Sequence, residues 1–80
     1  MTTSDLVIAT ATGAEIRRAR TNAGLSQQAL ANRLGVSQPQ ISAWESGRQL
    51  PRWPQLLAIG LVLDVSPQRW ADVASGGDAA

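Results

Sequence analysis

The sequence contains no cysteine, histidine, phenylalanine or tyrosine, and every one of its seven basic residues is arginine. Without cysteine there is no disulfide and no thiol chemistry, and without histidine the usual zinc sites are gone as well. Nucleophile–base pairs built on either residue are excluded too, and no acid pair replaces them. Neither an enzyme nor a metal or cofactor site is therefore expected. Long apolar runs are also missing. The longest, around Leu56 to Leu63, falls far short of the ~20 residues of a membrane span. With neither staples nor an export signal, the chain is expected in the cytoplasm, without a membrane partner.

Eighty residues make one domain, and a chain of this size buries only about 60% of its unfolded surface. No separate ligand-sensing domain fits, so no small-molecule ligand is expected. The net charge is +1, but it is unevenly placed. Arg17, Arg18, Arg20, Arg33, Arg48, Arg52 and Arg69 all lie between Gly13 and Trp70, beside only Glu15, Glu45 and Asp64. The other acids, Asp5, Asp72 and Asp78, sit in the flanks. A basic body with polar ends suits a polyanion partner, although ordinary solubility explains the same excess.

The apolar spacing and capping residues predict an all-α domain of five helices over residues 12–73. A flexible leader over 1–11 and a small-residue tail over 74–80 flank it. Leu6, Val7 and Ile8 form an apolar run in the leader, either disordered or packed on a neighbouring subunit. Thr12, with Glu15 three residues on, reads as the capping box of a first helix from Gly13 to Ala23. Gly24 follows as its left-handed cap. Ser26 caps a second helix, Gln27 to Leu34, with Leu30, Ala31 and Leu34 buried. Ser37 caps the third, with Gln40 at N3 completing another capping box and Pro39 where its missing N–H is harmless. Ile41, Trp44 and part of Glu45 face inward there, and Gly47 ends the helix.

A fourth helix runs from Trp53 to Leu63 behind a poor N-cap, Arg52. Trp53, Leu56, Leu57, Ile59, Gly60 and Leu63 are its candidate buried residues. Leu61, Val62 and Leu63 are consecutive, so at least one must be exposed; it either seals a subunit interface or leaves a locally apolar surface. Ser66 and Pro67 open a fifth helix with Trp70 inward. The three tryptophans all fall at helix-core spacing, which argues against stacking platforms for single strands.

The second and third helices are joined by a three-residue turn, Gly35-Val36-Ser37. Ala31 permits a close crossing, Gly35 accepts a positive φ, and Val36 and Ile41 fill the angle. That geometry projects the third helix from the body at a size that fits a major groove. The stretch LSQQALANRLGVSQPQISAWESG, Leu25 to Gly47, strongly resembles the Cro/CI-type (XRE-like, phage-repressor-like) helix-turn-helix family. The likeness rests on Leu25-Ser26-Gln27, Leu30-Ala31, Leu34-Gly35-Val36, Ile41, Trp44-Glu45-Ser46-Gly47 and Pro51. It extends from about Ile16 to Trp70.

The resemblance implies a double-stranded DNA binder, usually dimeric, that regulates transcription as a repressor on a near-palindromic operator. Position by position, it makes Gln38 a reader of adenine N6 and N7. Pro39 and Ala43 fall at two further reading positions, limited to apolar contact. Gln40 and Ser42 supply supplementary contacts. Gln27, Arg48, Arg52, Arg17 and Ser46 face phosphate or the minor groove. Arg20 and Glu45 become a structural pair, beside Gly35, Ile41 and Trp44. Leu61 and Val62 become dimer candidates. Two alternatives stay open. One is a protein-interaction domain on the same scaffold; the other is an antitoxin-type autoregulator acting with a partner protein.

Overall fold

A computed structural model describes residues 2–75. It contains α1 (Thr3–Asn22), α2 (Gln27–Leu34), α3 (Gln38–Glu45), α4 (Trp53–Leu63) and α5 (Pro67–Ala74), and no strand among the described residues. The expected all-α, five-helix architecture is therefore present. The local chemistry of the helix starts is simple. Ser26, Ser37 and Ser66 each accept from the backbone N–H three residues on, at 3.0, 3.2 and 3.2 Å. Such a bond satisfies one of the four orphan donors at a helix start. Arg52 has no acceptor to offer, so Gln55 reaches back instead and accepts from the Arg52 N–H at 2.8 Å.

The first helix departs from expectation. It begins at Thr3, so most of the expected leader over 1–11 is helical and continuous with the domain. Thr2 is the N-cap, and Asp5 closes the capping box. Thr12 lies buried inside the helix, and Glu15 engages arginines rather than a helix start. The added turns are held by packing, since Ala9 is fully buried. The tail expected over 74–80 lies largely outside the described residues; Ala74 closes α5.

The core takes one large, fully buried aliphatic side chain from each of the first four helices: Ile16, Leu30, Ile41 and Ile59. Trp44 and Trp70 complete it. The helix-turn-helix crosses tightly because Ala31 is buried and Gly35 adopts a left-handed φ of 71°. The closest approach is elsewhere. A Cβ on Gly13 would stand 2.3 Å from the Trp44 carbonyl oxygen, so α1 and α3 touch backbone to backbone. Gly47, just past α3, packs on Thr10 less tightly, with 3.1 Å between a Cβ placed there and the Thr10 Cα. Thus α1 fixes α3 at its C-terminal end.

On α4 the buried stripe is Leu56, Ile59, Gly60 and Leu63. Trp53 and Leu57, expected inward, are 50% and 36% exposed instead. They flank that stripe on one side of α4, and the neighbouring helices do not reach far enough round it to cover them. Leu61 is 88% exposed, as the three consecutive apolar positions required.

Glu15 ties α5 to α1. Its carboxylate accepts from Arg18 one turn on and from Arg69 at 3.0 Å. Hydrogen bonding from Arg18, then from Arg69, outweighs the desolvation of this 6%-exposed residue and lowers its pKa from 4.5 to about 2.

Two outcomes follow from this packing. Inside a helix, Gly→Ala ordinarily gains about 1 kcal/mol. For Gly13→Ala the sign reverses, and denaturant melts should show a net loss of about 1–3 kcal/mol from overpacking. Because the folded pKa of Glu15 lies below its unfolded value, its contribution is complete above pH 4.5. It is lost as pH falls toward 2, on the order of 3 kcal/mol in all. Acid titration of stability should show that loss in the wild type and a flatter profile in Glu15→Gln.

Candidate nucleic-acid interface

The site is organised from the inside outward. Glu45, at the end of α3, has only 4% of its side chain exposed. Its carboxylate accepts from Arg20 Nε at 2.6 Å and from Arg20 Nη2 at 3.1 Å. The fork is bidentate, the geometry that guanidinium and carboxylate share best. Hydrogen bonding to Glu45 raises the Arg20 pKa further above its ordinary value. Arg20 also donates to the Leu25 carbonyl at 2.7 Å, which ties the loop before α2 to α1. The expected structural pair is thus present and joins three segments.

The same carboxylate continues outward. Glu45 Oε1 accepts from Gln27 Nε2 at 3.1 Å, and Gln27 Oε1 accepts from Gln38 Nε2 at 2.6 Å. An ionised carboxylate can only accept, so Gln27 must turn its NH2 toward Glu45. Its carbonyl oxygen is then left facing Gln38, which must answer with its own NH2. Every amide orientation in the chain follows from the buried charge. Among the described residues, Gln38, at the first position of α3, is left with an unpartnered Oε1 and one further N–H.

The remaining expected residues fall into smaller groups. Pro39 is exposed, while Ser42 and Ala43 are half-buried on α3. Gln40 does not close a capping box with Ser37. Its Nε2 donates instead to Gln49 Oε1 at 2.6 Å, because the loop after α3 brings Gln49 alongside. Ser46 donates to the Ala43 carbonyl at 3.2 Å and accepts from Arg48 Nε at 3.1 Å. Gln40, Arg48, Gln49 and Arg52 line one shallow groove between α3 and the start of α4. Sequence reasoning missed Gln49, which carries no local signal of its own. Arg17 is exposed on α1, and among the described residues no hydrogen bond ties its guanidinium to this cluster. Leu61 and Val62 sit on α4, away from the glutamine chain; Val62 packs partly on the core.

The comparisons fit this geometry. Residues 11–74 match the family model described as a helix-turn-helix domain. The chain belongs to the helix-turn-helix family. The resemblance drawn from Leu25 to Gly47 therefore holds at the level of family. One relative is an uncharacterised HTH-type transcriptional regulator of Bacillus subtilis, YqaE, 35% identical over 51 residues. That match takes in 64% of this chain and 44% of the relative, so the chain spans less than half the length of the regulator it resembles. The helix-turn-helix match begins at residue 11, so the first two turns of α1 precede it.

The burial of the ion pair generates a test. Glu45→Ala leaves the Arg20 guanidinium buried without its partner and should lose about 3–5 kcal/mol in denaturant melts. The double variant Arg20→Met with Glu45→Leu, which removes both charges, should lose markedly less.

Proposed function

We propose that the chain binds double-stranded DNA in a sequence-dependent way, with α3 in the major groove, and acts as a transcriptional regulator, in the first instance a repressor. One observation carries this reading: the hydrogen-bond chain that ends at Gln38. The unspent groups of Gln38 are an acceptor and a donor side by side. Adenine presents the matching pair in the major groove, N6–H to donate and N7 to accept. Gln27 keeps one N–H beyond its bond to Glu45, at the N-terminus of α2. A phosphate there would also meet the positive end of the helix dipole.

The other positions serve the same reading with less chemistry. Pro39 and Ala43 offer apolar contact to thymine methyls. Ser42 and Gln40 border the bases, and Gln40 is committed to Gln49. Arg48 and Arg52 place two cations along one groove, suited to phosphate or to a narrow minor groove. Ser46 steadies Arg48, and Arg17 adds attraction at longer range. With so few polar readers, DNA shape carries much of the selectivity. One module reads only a few base pairs. A near-palindrome with half-sites ~34 Å apart would engage two copies.

The membership of the helix-turn-helix family and the likeness to a transcriptional regulator support this assignment. A second reading, a protein-interaction domain, is favoured by one feature: Leu6 and Val7 stand 52% and 62% exposed on α1.

Selection of bound sequences from a mixed duplex pool, followed by anisotropy titration across salt, tests the reading. The wild type should enrich a motif and bind with a steep salt slope. Gln38→Ala should lose about 1–3 kcal/mol on that motif with the slope unchanged. Arg48→Ala should lower the slope by about 1 and leave the motif alone. Weak binding that salt does not change, with no enriched motif, would give the protein-interaction reading the stronger claim.

A further inference from the structure

Two glutamine pairs tie α3 to its neighbours, and they differ in one respect. Gln38 donates to Gln27 and Gln40 donates to Gln49, each through Nε2 at 2.6 Å. The first pair ends on the Glu45 carboxylate, so its donor-to-acceptor sense is fixed. The second pair has no such anchor. The groove it borders is lined further by Trp44, Arg48, Leu50, Arg52 and Gln55, and by no acid. Arg48 Nε is committed to Ser46, and the Gln55 oxygen to the Arg52 N–H. Among the described residues, no further hydrogen bond reaches the side-chain amide of Gln40 or of Gln49.

A side-chain amide keeps nearly the same shape when its oxygen and nitrogen change places, and the last torsion of glutamine is broad and roughly two-fold. When both amides turn together, Gln49 Nε2 donates to Gln40 Oε1 and the bond between them is kept. The backbone does not choose between the two senses. Gln40 is held in the first turn of α3 by Ser37, and the Gln49 N–H is tied to the Ala43 carbonyl at 3.3 Å. What changes is the group that Gln40 turns away from Gln49. In one sense it is the Oε1 acceptor; in the other it is the NH2 donor. In a major groove the acceptor suits adenine N6–H or cytosine N4–H. The donor suits guanine O6 or N7, or thymine O4.

We infer that the Gln40–Gln49 pair is a two-way reader of base edges, and that Gln49, outside the recognition helix, is the residue that sets which way it reads. The inference rests on the proposed placement of α3 in the major groove. Replacing Gln49 fixes the sense. Gln49→Glu offers only acceptors, so Gln40 must donate to it and turn its oxygen outward. Gln49→Lys offers only donors and leaves the Gln40 NH2 outward. Each protein is put through selection from a mixed duplex pool. The wild type should enrich a motif with one mixed position beside the one read by Gln38. At that position Gln49→Glu should favour adenine or cytosine by about tenfold, and Gln49→Lys should favour guanine or thymine to a similar extent. The altered charge changes affinity for all sequences alike, so base preference is the readout. Adding Gln40→Ala to either variant should abolish its new preference. In the free wild-type protein, NMR couplings across side-chain hydrogen bonds should run in both senses between Gln40 and Gln49, and in one sense between Gln38 and Gln27. A motif that both variants leave unchanged, or shift the same way, would overturn the inference and leave the DNA reading standing. Couplings in a single sense between Gln40 and Gln49 would do the same. A wild type that enriches no motif would overturn both.

Discussion

One buried carboxylate sets the orientation of everything on the candidate DNA-facing side. Glu45 belongs to α3, but its oxygens receive donors from α1 and α2. A charge at this depth is tolerated only when its partners are in place. The three helices therefore share one low-energy arrangement, and α3 cannot rotate about its axis without breaking it. The constraint is also directional. A carboxylate has no proton to offer, so the donor-to-acceptor sense runs one way from Gln38 inward. A neutral amide in its place would accept either orientation, and the outward pattern at Gln38 would lose its definition.

Backbone contact supplies the second constraint. At Gly13 the helices meet without an intervening side chain, and Gly47, just past α3, lies close on Thr10. Such contacts leave no freedom to slide, whereas side-chain contacts permit a choice of rotamers. The ion pair then sets the rotation of α3, and the glycines set its distance from α1. The two kinds of contact sit on the same end of α3, which leaves its first turn projecting.

Much of this was legible in the residues because the signals were local. Ser26, Ser37 and Ser66 announce their helices, and Gly35 announces the turn between α2 and α3. The Arg20–Glu45 pair came through the family resemblance, not through spacing, since 25 residues separate the partners. The start of α1 was misplaced because Thr2 with Asp5 and Thr12 with Glu15 have the same form. Only the burial of Ala9 and Thr12 distinguishes a helix start from a helix interior. Trp53 and Leu57 were misplaced for the opposite reason. With Gln55 as the one polar side chain of α4, no polar face marks the outside, so its neighbours decide. Gln49 and the Arg69 bond to Glu15 depend on tertiary proximity alone.

The free pair of groups on Gln38 has a consequence for how such a surface can diversify. Pro39 and Ala43 take no part in the hydrogen-bond chain, so, on the proposed DNA-reading role, substitution there would explore new operator preferences against an unchanged scaffold. Gln38 has no such liberty. Its amide is one end of a chain anchored in the interior, and a replacement that cannot donate to Gln27 strands an acceptor beside a buried charge. Drift in the preferred DNA sequence would thus begin at the small residues in the middle of α3. The glutamine at its head would persist as an inherited element, shared among descendants whose operators otherwise differ.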